Sequence, residues 1–352
     1  MSKILNDLGY YPQLDKLIES EKLDNTIIGR VIKQSKQNYI VKTELGNYNG
    51  KISGKLRHNS QEHSDYPAVG DWIIAKIKEH TDIIIHKVLP RKTVIERKAI
   101  GRFGKKQTIA TNVDYCFVMQ DIANDFNLNR LDRLVAICFS SNITPFLIFT
   151  KIDLINKTIL KKRINEIKKQ FINITLITIS NKTKLGLDEV FKNIKYSNTY
   201  CFIGASGAGK SSLINHLVGS KVMVTKAVKK NNHKGQHTTS HRELFVLNDS
   251  GILIDTPGMR ELGIADSIKT LESTFKTIFN LSRYCKFSDC THLKEPDCAV
   301  LIALNKEEIL KSYYDNFHKM KREQIQFNLN KRGIKDKEMI KILKSDPKQR
   351  KS

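Results

Sequence analysis

At 352 residues, 40% of them hydrophobic, the chain is long enough for two or three modules with real cores, which excludes a disordered polymer and a single minimal domain. Sixty Lys and Arg against 36 Asp and Glu leave a formal charge of +24 and a pI near 9.7, so a polyanion is the expected partner, nucleic acid first. No apolar run reaches the roughly 18 residues of a membrane helix. Met1 to Leu8 is too polar for a secretory leader, and six cysteines, three isolated (Cys116, Cys138, Cys201) and three clustered, do not form a disulfide framework. A soluble, cytoplasmic, monomeric protein is expected.

Residues 1–24 carry a Pro12 break and mixed charge and read as a short helical or partly ordered extension. Five short β-rich runs follow: Ile27 to Ile32, Tyr39 to Thr43, Tyr48 to Ile52, Trp72 to Ile77 and Ile83 to Val88. Such a series suits a small closed barrel, the oligonucleotide-binding (OB) type first, with an SH3-like barrel leaving much the same trace. Beyond Pro90 a basic linker (Arg91, Lys92, Arg97, Lys98, Arg102, Lys105, Lys106) completes a module over 25–107.

From 108 to 264 compact apolar runs alternate with helical stretches. Val113 to Met119, Pro145 to Phe149, Thr175 to Ile179, Tyr200 to Ile203, Glu243 to Leu247 and Gly251 to Ile254 have strand length, while Leu128 to Phe139 and Leu160 to Phe171 have helical spacing. This alternation predicts a parallel sheet covered on both faces. Ile268, Leu271, Phe275 and Ile278 then mark one helix face, within a module over 265–310, and 311–352 reads as a basic C-terminal helix and tail.

Gly204-Ala205-Ser206-Gly207-Ala208-Gly209-Lys210-Ser211, with Ser212 after it, has the form G-x-x-x-x-G-K-S between a predicted strand and a predicted helix. In that context backbone N–H groups turn inward around phosphates, Lys210 reaches the outer phosphates and Ser211 offers a hydroxyl to Mg²⁺. An ordinary glycine-rich turn is the bland alternative, and the correct context on both sides argues against it.

Upstream, Thr150-Lys151-Ile152-Asp153 follows a buried strand and reads as a guanine-specificity box with Thr in place of the usual Asn. A carboxylate at Asp153 accepts from both donors of the guanine edge, and Lys151 lies over the ring; adenine lacks the donor pair and leaves the carboxylate unmatched. Ser180, followed by Asn181 where Ala is common, is the expected last base-contacting position, through its backbone. Downstream, Asp255-Thr256-Pro257-Gly258 ends an apolar strand, placing a carboxylate for the Mg²⁺ water shell and an N–H for the γ-phosphate. The base-reading box thus precedes the phosphate-reading box, which is a circular permutation, and it puts the switch regions next to whatever follows Gly258.

Met259 stands where many GTPases carry a water-orienting glutamine, a role its thioether cannot fill. His237, in Lys234-Gly235-Gln236-His237-Thr238-Thr239, is the leading substitute, with Thr238 or Thr239 supplying a hydroxyl to Mg²⁺; the residues alone leave a solvated loop histidine equally open.

The last cluster is Cys285-x₄-Cys290-x-His292-x₅-Cys298. Three thiolates and an imidazole complete a tetrahedral shell for one structural Zn²⁺ and leave no open catalytic position.

Together with Val69-Gly70-Asp71-Trp72, Leu89-Pro90-Arg91, Asn112-Val113-Asp114 and Glu295-Pro296, these boxes resemble the RsgA (YjeQ) family of circularly permuted GTPases. The resemblance implies a multi-domain α/β chain: an N-terminal OB-fold barrel, a permuted P-loop GTPase domain and a C-terminal helical zinc-binding domain. It implies binding of GTP and GDP with Mg²⁺, and hydrolysis stimulated by the 30S ribosomal subunit and its 16S rRNA late in subunit maturation. It also implies catalysis by His237 and zinc held by Cys285, Cys290, His292 and Cys298. A non-catalytic, nucleotide-gated rRNA-binding protein is the alternative, with Met259 its direct support.

Overall fold

The computed structural model describes residues 2–19, 26–35, 38–79, 81–98, 106–220, 222, 242–256 and 268–332. Backbone proximity divides the chain into two compact units. One comprises Met1–Phe126, Ser141–Lys161 and Asn173–Gly263, the other Asn127–Ser140, Lys162–Ile172 and Ile264–Ser352.

The first unit begins with helices α1 (Lys3–Asp7) and α2 (Gln13–Glu19). Over its described residues the expected short helical or partly ordered extension is helical, and it joins the core: Leu5, Leu8, Tyr10 and Leu14 pack with Trp72, Ile74 and Leu89. Tyr10 meets the Trp72 ring edge-on at 5.2 Å.

Strands β1 (Thr26–Ser35), β2 (Asn38–Thr43), β3 (Gly46–Ile52), β4 (Trp72–Glu79) and β5 (Asp82–Val88) pair in the order β1-β2-β3-β5-β4 and close through β1–β4. Only β3 and β5 are parallel, and helix α3 (Gly54–Asn59), capped by the Ser53 hydroxyl, fills the connection from β3 to β4. That order and helix placement are those of the OB barrel, so the SH3-like alternative drops out. Alternate residues (Val31, Tyr39, Val41, Ile73, Ala75, Ile83, Ile85) fill its interior.

The basic linker contains an antiparallel ribbon that sequence reading missed, β6 (Val94–Lys98) with β7 (Lys106–Thr111). Its cations obscured a buried side formed by Ile95, Ile109 and Ala110.

The larger sheet takes β8 (Tyr115–Asp121), β9 (Thr144–Thr150), β10 (Thr175–Thr178), β11 (Thr199–Gly204), β12 (Arg242–Val246) and β13 (Ile252–Asp255) in the order β10-β9-β8-β11-β13-β12. Helices α4 (Leu128–Ser140), α5 (Lys157–Gln170), α6 (Leu187–Lys192) and α7 (Lys210–Val218) connect the strands. The expected all-parallel sheet is corrected at one edge, where β12 runs antiparallel to β13. Leu247 to Gly251 is a tight turn closed by Leu247 N–H donating to the Gly251 carbonyl at 2.9 Å, and so short a link returns the chain antiparallel.

β12 also pairs with β1, matching Glu243 with Lys33 and Arg242 with Gln34, so barrel and α/β sheet form one eleven-stranded ladder. Beside that seam the buried Arg30 donates to the carbonyls of Leu8 (2.6 Å), Gly70 (3.0 Å) and Asn112 (3.1 Å). Burial lowers its pKa to about 10, opposed by Asp114 and Asp71, so it stays cationic at neutral pH. Asp71, fully buried, is held by both nitrogens of an Arg91 fork at 2.8 and 2.7 Å. The Val69 to Trp72 and Leu89 to Arg91 motifs therefore build this joint.

In the second unit α8 (Ile268–Thr274), α9 (Lys276–Ser282), α10 (Ala299–Asn305) and α11 (Lys311–Arg332) follow α4 and the end of α5. Leu271, Phe275 and Ile278 face one core, as their spacing predicts, yet the helix breaks at Phe275, where ψ is 40°. Thr274 Oγ1 turns back to the Thr270 carbonyl at 2.7 Å, and the Thr274 carbonyl accepts from the Tyr313 hydroxyl at 3.2 Å. Tyr313, Tyr314, Phe317 and Met320 of α11 share that core with Cys298 and Val300.

A polar node sits in the same unit. The fully buried Asp132 carboxylate accepts from Gln170 Nε2 and Asn316 Nδ2, each at 2.6 Å. Burial pushes its pKa up to about 7 despite both amides and nearby Arg133.

Candidate nucleotide site and metal centre

β11 leads directly into the phosphate loop and α7 leaves it at Lys210. Gly204 has φ of 153°, and a Cβ there would lie 2.2 Å from the Met119 carbonyl oxygen, so no other residue fits beside β8. Lys210 Nζ donates to the carbonyls of Gly204 and Ala205, both at 2.8 Å, which places its charge across the loop mouth. Ser211 and Ser212 lie half-buried in the first turn of α7.

Asp255 ends β13, buried. Burial lifts its pKa to about 6, countered by Lys210 and reinforced by Glu243, while burial lowers Lys210 to about 8, countered by Asp255. The carboxylate's Oδ2 is buried with no hydrogen-bond partner among the described residues. A buried carboxylate oxygen and a serine hydroxyl are the hard oxygen donors that Mg²⁺ takes.

The base-reading loops come from the far side of the sheet. Registers pair Asp121 at the end of β8 with Thr150 at the end of β9, so both stop at the sheet's carboxyl edge, where α/β folds bind ligands. Thr150 is fully buried, and its hydroxyl donates to the Ala208 carbonyl at 2.9 Å. The threonine that replaces asparagine thus fastens the base box to the phosphate loop.

Lys151, at φ of 61°, aims its ammonium at Asp121 Oδ2, 2.7 Å away. Burial raises the Asp121 carboxyl, but Lys151 and Asn124 outweigh it and hold it below the ordinary carboxylate value. Ile152 and Asp153 form a short 3₁₀ turn, and Asp153 Oδ1 accepts from the buried Ser180 hydroxyl at 2.6 Å. Asp153 is itself exposed, so the penalty against a mismatched base arises only when a base covers it. Asn181, expected to act through its backbone, uses its side chain as well: Nδ2 donates to the Gly209 carbonyl at 3.1 Å.

Cys285, Cys290, His292 and Cys298 bring their ligand atoms within 4.8 Å of one another. Cys285 and Cys298 sulfurs stand 3.7 Å apart, and His292 Nδ1 lies 3.6 and 3.4 Å from them. Sulfurs at about 2.3 Å from a tetrahedral zinc stand about 3.8 Å apart, so the shell fits the ion. His292 has φ of 62°, and the Tyr314 hydroxyl donates to its carbonyl at 2.5 Å, anchoring the loop to α11. Glu295 accepts from the backbone N–H groups of Thr291, Leu293 and Lys294 and from the Thr291 hydroxyl. Burial raises its carboxyl, and these donors outweigh that and hold it well below the usual range.

His237, Thr238, Thr239, Gly258 and Met259 lie outside the described residues. Sequence reasoning missed Asp121, the Asn181 side chain and His216, whose Nε2 meets the Asn181 carbonyl at 3.0 Å. A carboxylate ending an apolar strand was a legible signal for Asp121; nothing in the spacing distinguishes His216 from any helix-surface histidine.

A phosphate loop and a guanine box supplied in permuted order, on a sheet continuous with an OB barrel, define a circularly permuted GTPase, a GTP hydrolase. The RsgA GTPase family model matches residues 88–265, and a model described as 50S ribosome-binding GTPase matches residues 199–344. The small ribosomal subunit biogenesis GTPase RsgA 1 of Oceanobacillus iheyensis is 38% identical over 84% of this chain and 85% of its own. RsgA 2 of Lactiplantibacillus plantarum is 36% identical over 89% of this chain and 88% of its own. The crystal structure of YjeQ from Thermotoga maritima matches at 25% identity with a TM-score of 0.64, covering 85% of this chain and 99% of that one. The chain belongs to the RsgA GTPase family.

Proposed function

We propose that this GTPase works on the small ribosomal subunit late in its maturation, in the cytoplasm and as a monomer. The subunit stimulates hydrolysis, and hydrolysis loosens the protein's hold on 16S rRNA. The observation that carries the nucleotide assignment is the bond from Thr150 to the Ala208 carbonyl, which joins the base box to the phosphate loop across the permuted chain. The subunit assignment draws on the names of the relatives and on the charge of +24. No helix among the described residues is long and apolar enough to cross a membrane.

In this reading the modules are the barrel and ribbon (25–107), the GTPase domain (108–264), the zinc-binding region (265–310) and the C-terminal helix and tail (311–352), after a lead-in over 1–24. GTP or GDP is held by Thr150 to Asp153, Ser180 and Gly204 to Ser212, with Thr238, Thr239, Asp255 and Gly258 closing on Mg²⁺ and the γ-phosphate. One Zn²⁺ sits on Cys285, Cys290, His292 and Cys298 as a structural ion. His237 orients the attacking water, the role Met259 cannot fill.

The test compares GTP with ATP turnover, with and without purified 30S subunits. Stimulated GTP turnover is expected; equal ATP turnover sinks the base assignment, and no stimulation sinks the partner. Asp153→Asn should shift preference toward xanthine nucleotides. His237→Ala should keep GTP affinity and lose about 10²-fold or more of stimulated turnover.

A further inference from the structure

The base-reading loop is tied to the phosphate loop and its helix at two places besides Thr150, through the Asn181 side chain and through His216, neither of which the reading above uses. Asn181 Nδ2 donates to the Gly209 carbonyl at 3.1 Å, and His216 Nε2 lies 3.0 Å from the Asn181 carbonyl. Gly209 caps α7 at φ of 88°, and a Cβ there would stand 2.6 Å from Asn181 Nδ2, so the amide is seated directly on the loop. The amide's orientation follows from chemistry, since the reverse would set two carbonyl oxygens against each other. His216 must carry its proton on Nε2 to donate to a carbonyl.

The Asn181 side chain is poorly suited to a purely stabilising role. Its Oδ1 is buried and has no partner among the described residues, a condition that works against the folded state. What the side chain supplies is the bond to Gly209, whose N–H and carbonyl belong to the turn that would wrap a β-phosphate. His216, about two helical turns into α7, reaches back to the same asparagine.

We infer that Asn181 and His216 are positioning residues that latch the base-reading loop to the phosphate loop and so govern nucleotide release. With the latch closed the two loops part only together, and a bound nucleotide leaves only when base and phosphates are freed at once. With it open either end can peel first. The inference rests on the nucleotide assignment of this site.

The measurement is stopped-flow release of a fluorescent GDP analogue from the full-length protein, beside single-turnover hydrolysis at saturating GTP. Losing one neutral hydrogen bond corresponds to about fivefold, so Asn181→Ala should speed GDP release by about that factor and move the single-turnover step less. His216→Leu should act the same way, and His216→Gln, which keeps an N–H at similar reach, should restore most of the slow release. Combining Asn181→Ala with His216→Leu removes two separate bonds, since His216 meets the backbone carbonyl that the alanine keeps, and should speed release more than either change alone. Release at the wild-type rate in Asn181→Ala, or equal rates in the Leu and Gln variants, overturns the latch while leaving guanine binding intact. A wild-type protein that binds no guanine nucleotide overturns the site assignment itself.

Discussion

Around the phosphate loop, the functional side chains come from separate stretches of chain, and each is fixed by a bond to something already rigid. Thr150 and Asn181 hold carbonyls of Ala208 and Gly209, Lys151 is held by Asp121, and Asp153 by Ser180. Around the metal centre all four ligands come from one loop, and the described contacts among them are sulfur and imidazole atoms facing one another at 3.4 to 3.7 Å. Thiols and an imidazole so close are weak partners without an ion between them. The first site has a scaffold with redundant ties and should degrade gradually. The second, if it holds the proposed ion, should fail more sharply when that ion is lost.

The largest effect that could break this contrast is at the metal. Cys298→Ser should lose the zinc and unfold the loop with α10, since structural zinc contributes on the order of 10 kcal/mol in small zinc domains. Metal analysis and limited proteolysis check it, and nucleotide binding should change little. A zinc-free variant with unchanged protease resistance would show that the helices alone hold the loop.

Next comes the joint of the first unit. Arg30→Met removes the donor of three buried carbonyls and should cost about 3–5 kcal/mol in denaturant unfolding. A loss under about 1 kcal/mol would mean that the ladder through β12 and β1 suffices without it.

Asp132 sharpens the comparison by testing how much a buried polar node adds to the second unit beside the hydroxyl ties of Tyr313 and Tyr314. Its pKa is raised to about 7 from 3.8, so its stabilising contribution is full below the unfolded value and is lost as pH rises through about 7. The urea midpoint should fall between pH 5 and 8 in the wild type, and the fall should be shallower in Asp132→Asn. There Gln170 can turn its unpartnered Oε1 toward the new amide. Parallel pH profiles would remove the node from the account.

The smallest effect belongs to the redundant scaffold. Thr150→Val keeps the shape and deletes one hydrogen bond, so GTP affinity should weaken by about fivefold, or roughly 1 kcal/mol. A hundredfold loss would mean the base box hangs on that hydroxyl alone.

Most strands were legible because the barrel alternates and the sheet runs are continuous, two patterns that survive in a single sequence. Glu243 to Leu247 reads as one more buried strand of the parallel set; only the brevity of the link to Ile252 dictates its reversed direction. The β6–β7 ribbon was hidden because its stretch of sequence reads first as a run of cations. The break at Phe275 leaves the apolar spacing intact, and the Thr274 carbonyl beside it is taken by Tyr313, far along the chain. At the nucleotide site Asp121 left a signal as the carboxylate ending an apolar strand, whereas the His216 ring and the Asn181 amide make tertiary contacts that no spacing encodes.

The ladder through β12 also decides how this chain can be cut. β13 lines one edge of β12, and the end of β1 covers the start of the other, at Arg242 and Glu243. A fragment starting at the α/β domain would bare the backbone groups of Arg242 and Glu243 that β1 pairs, and strip Arg30 from the Asn112 carbonyl. Such an open edge invites other copies to add their own strands. The barrel is therefore a cover over the start of a self-adhesive seam, and fragments meant to isolate the GTPase should keep β1 to stay soluble.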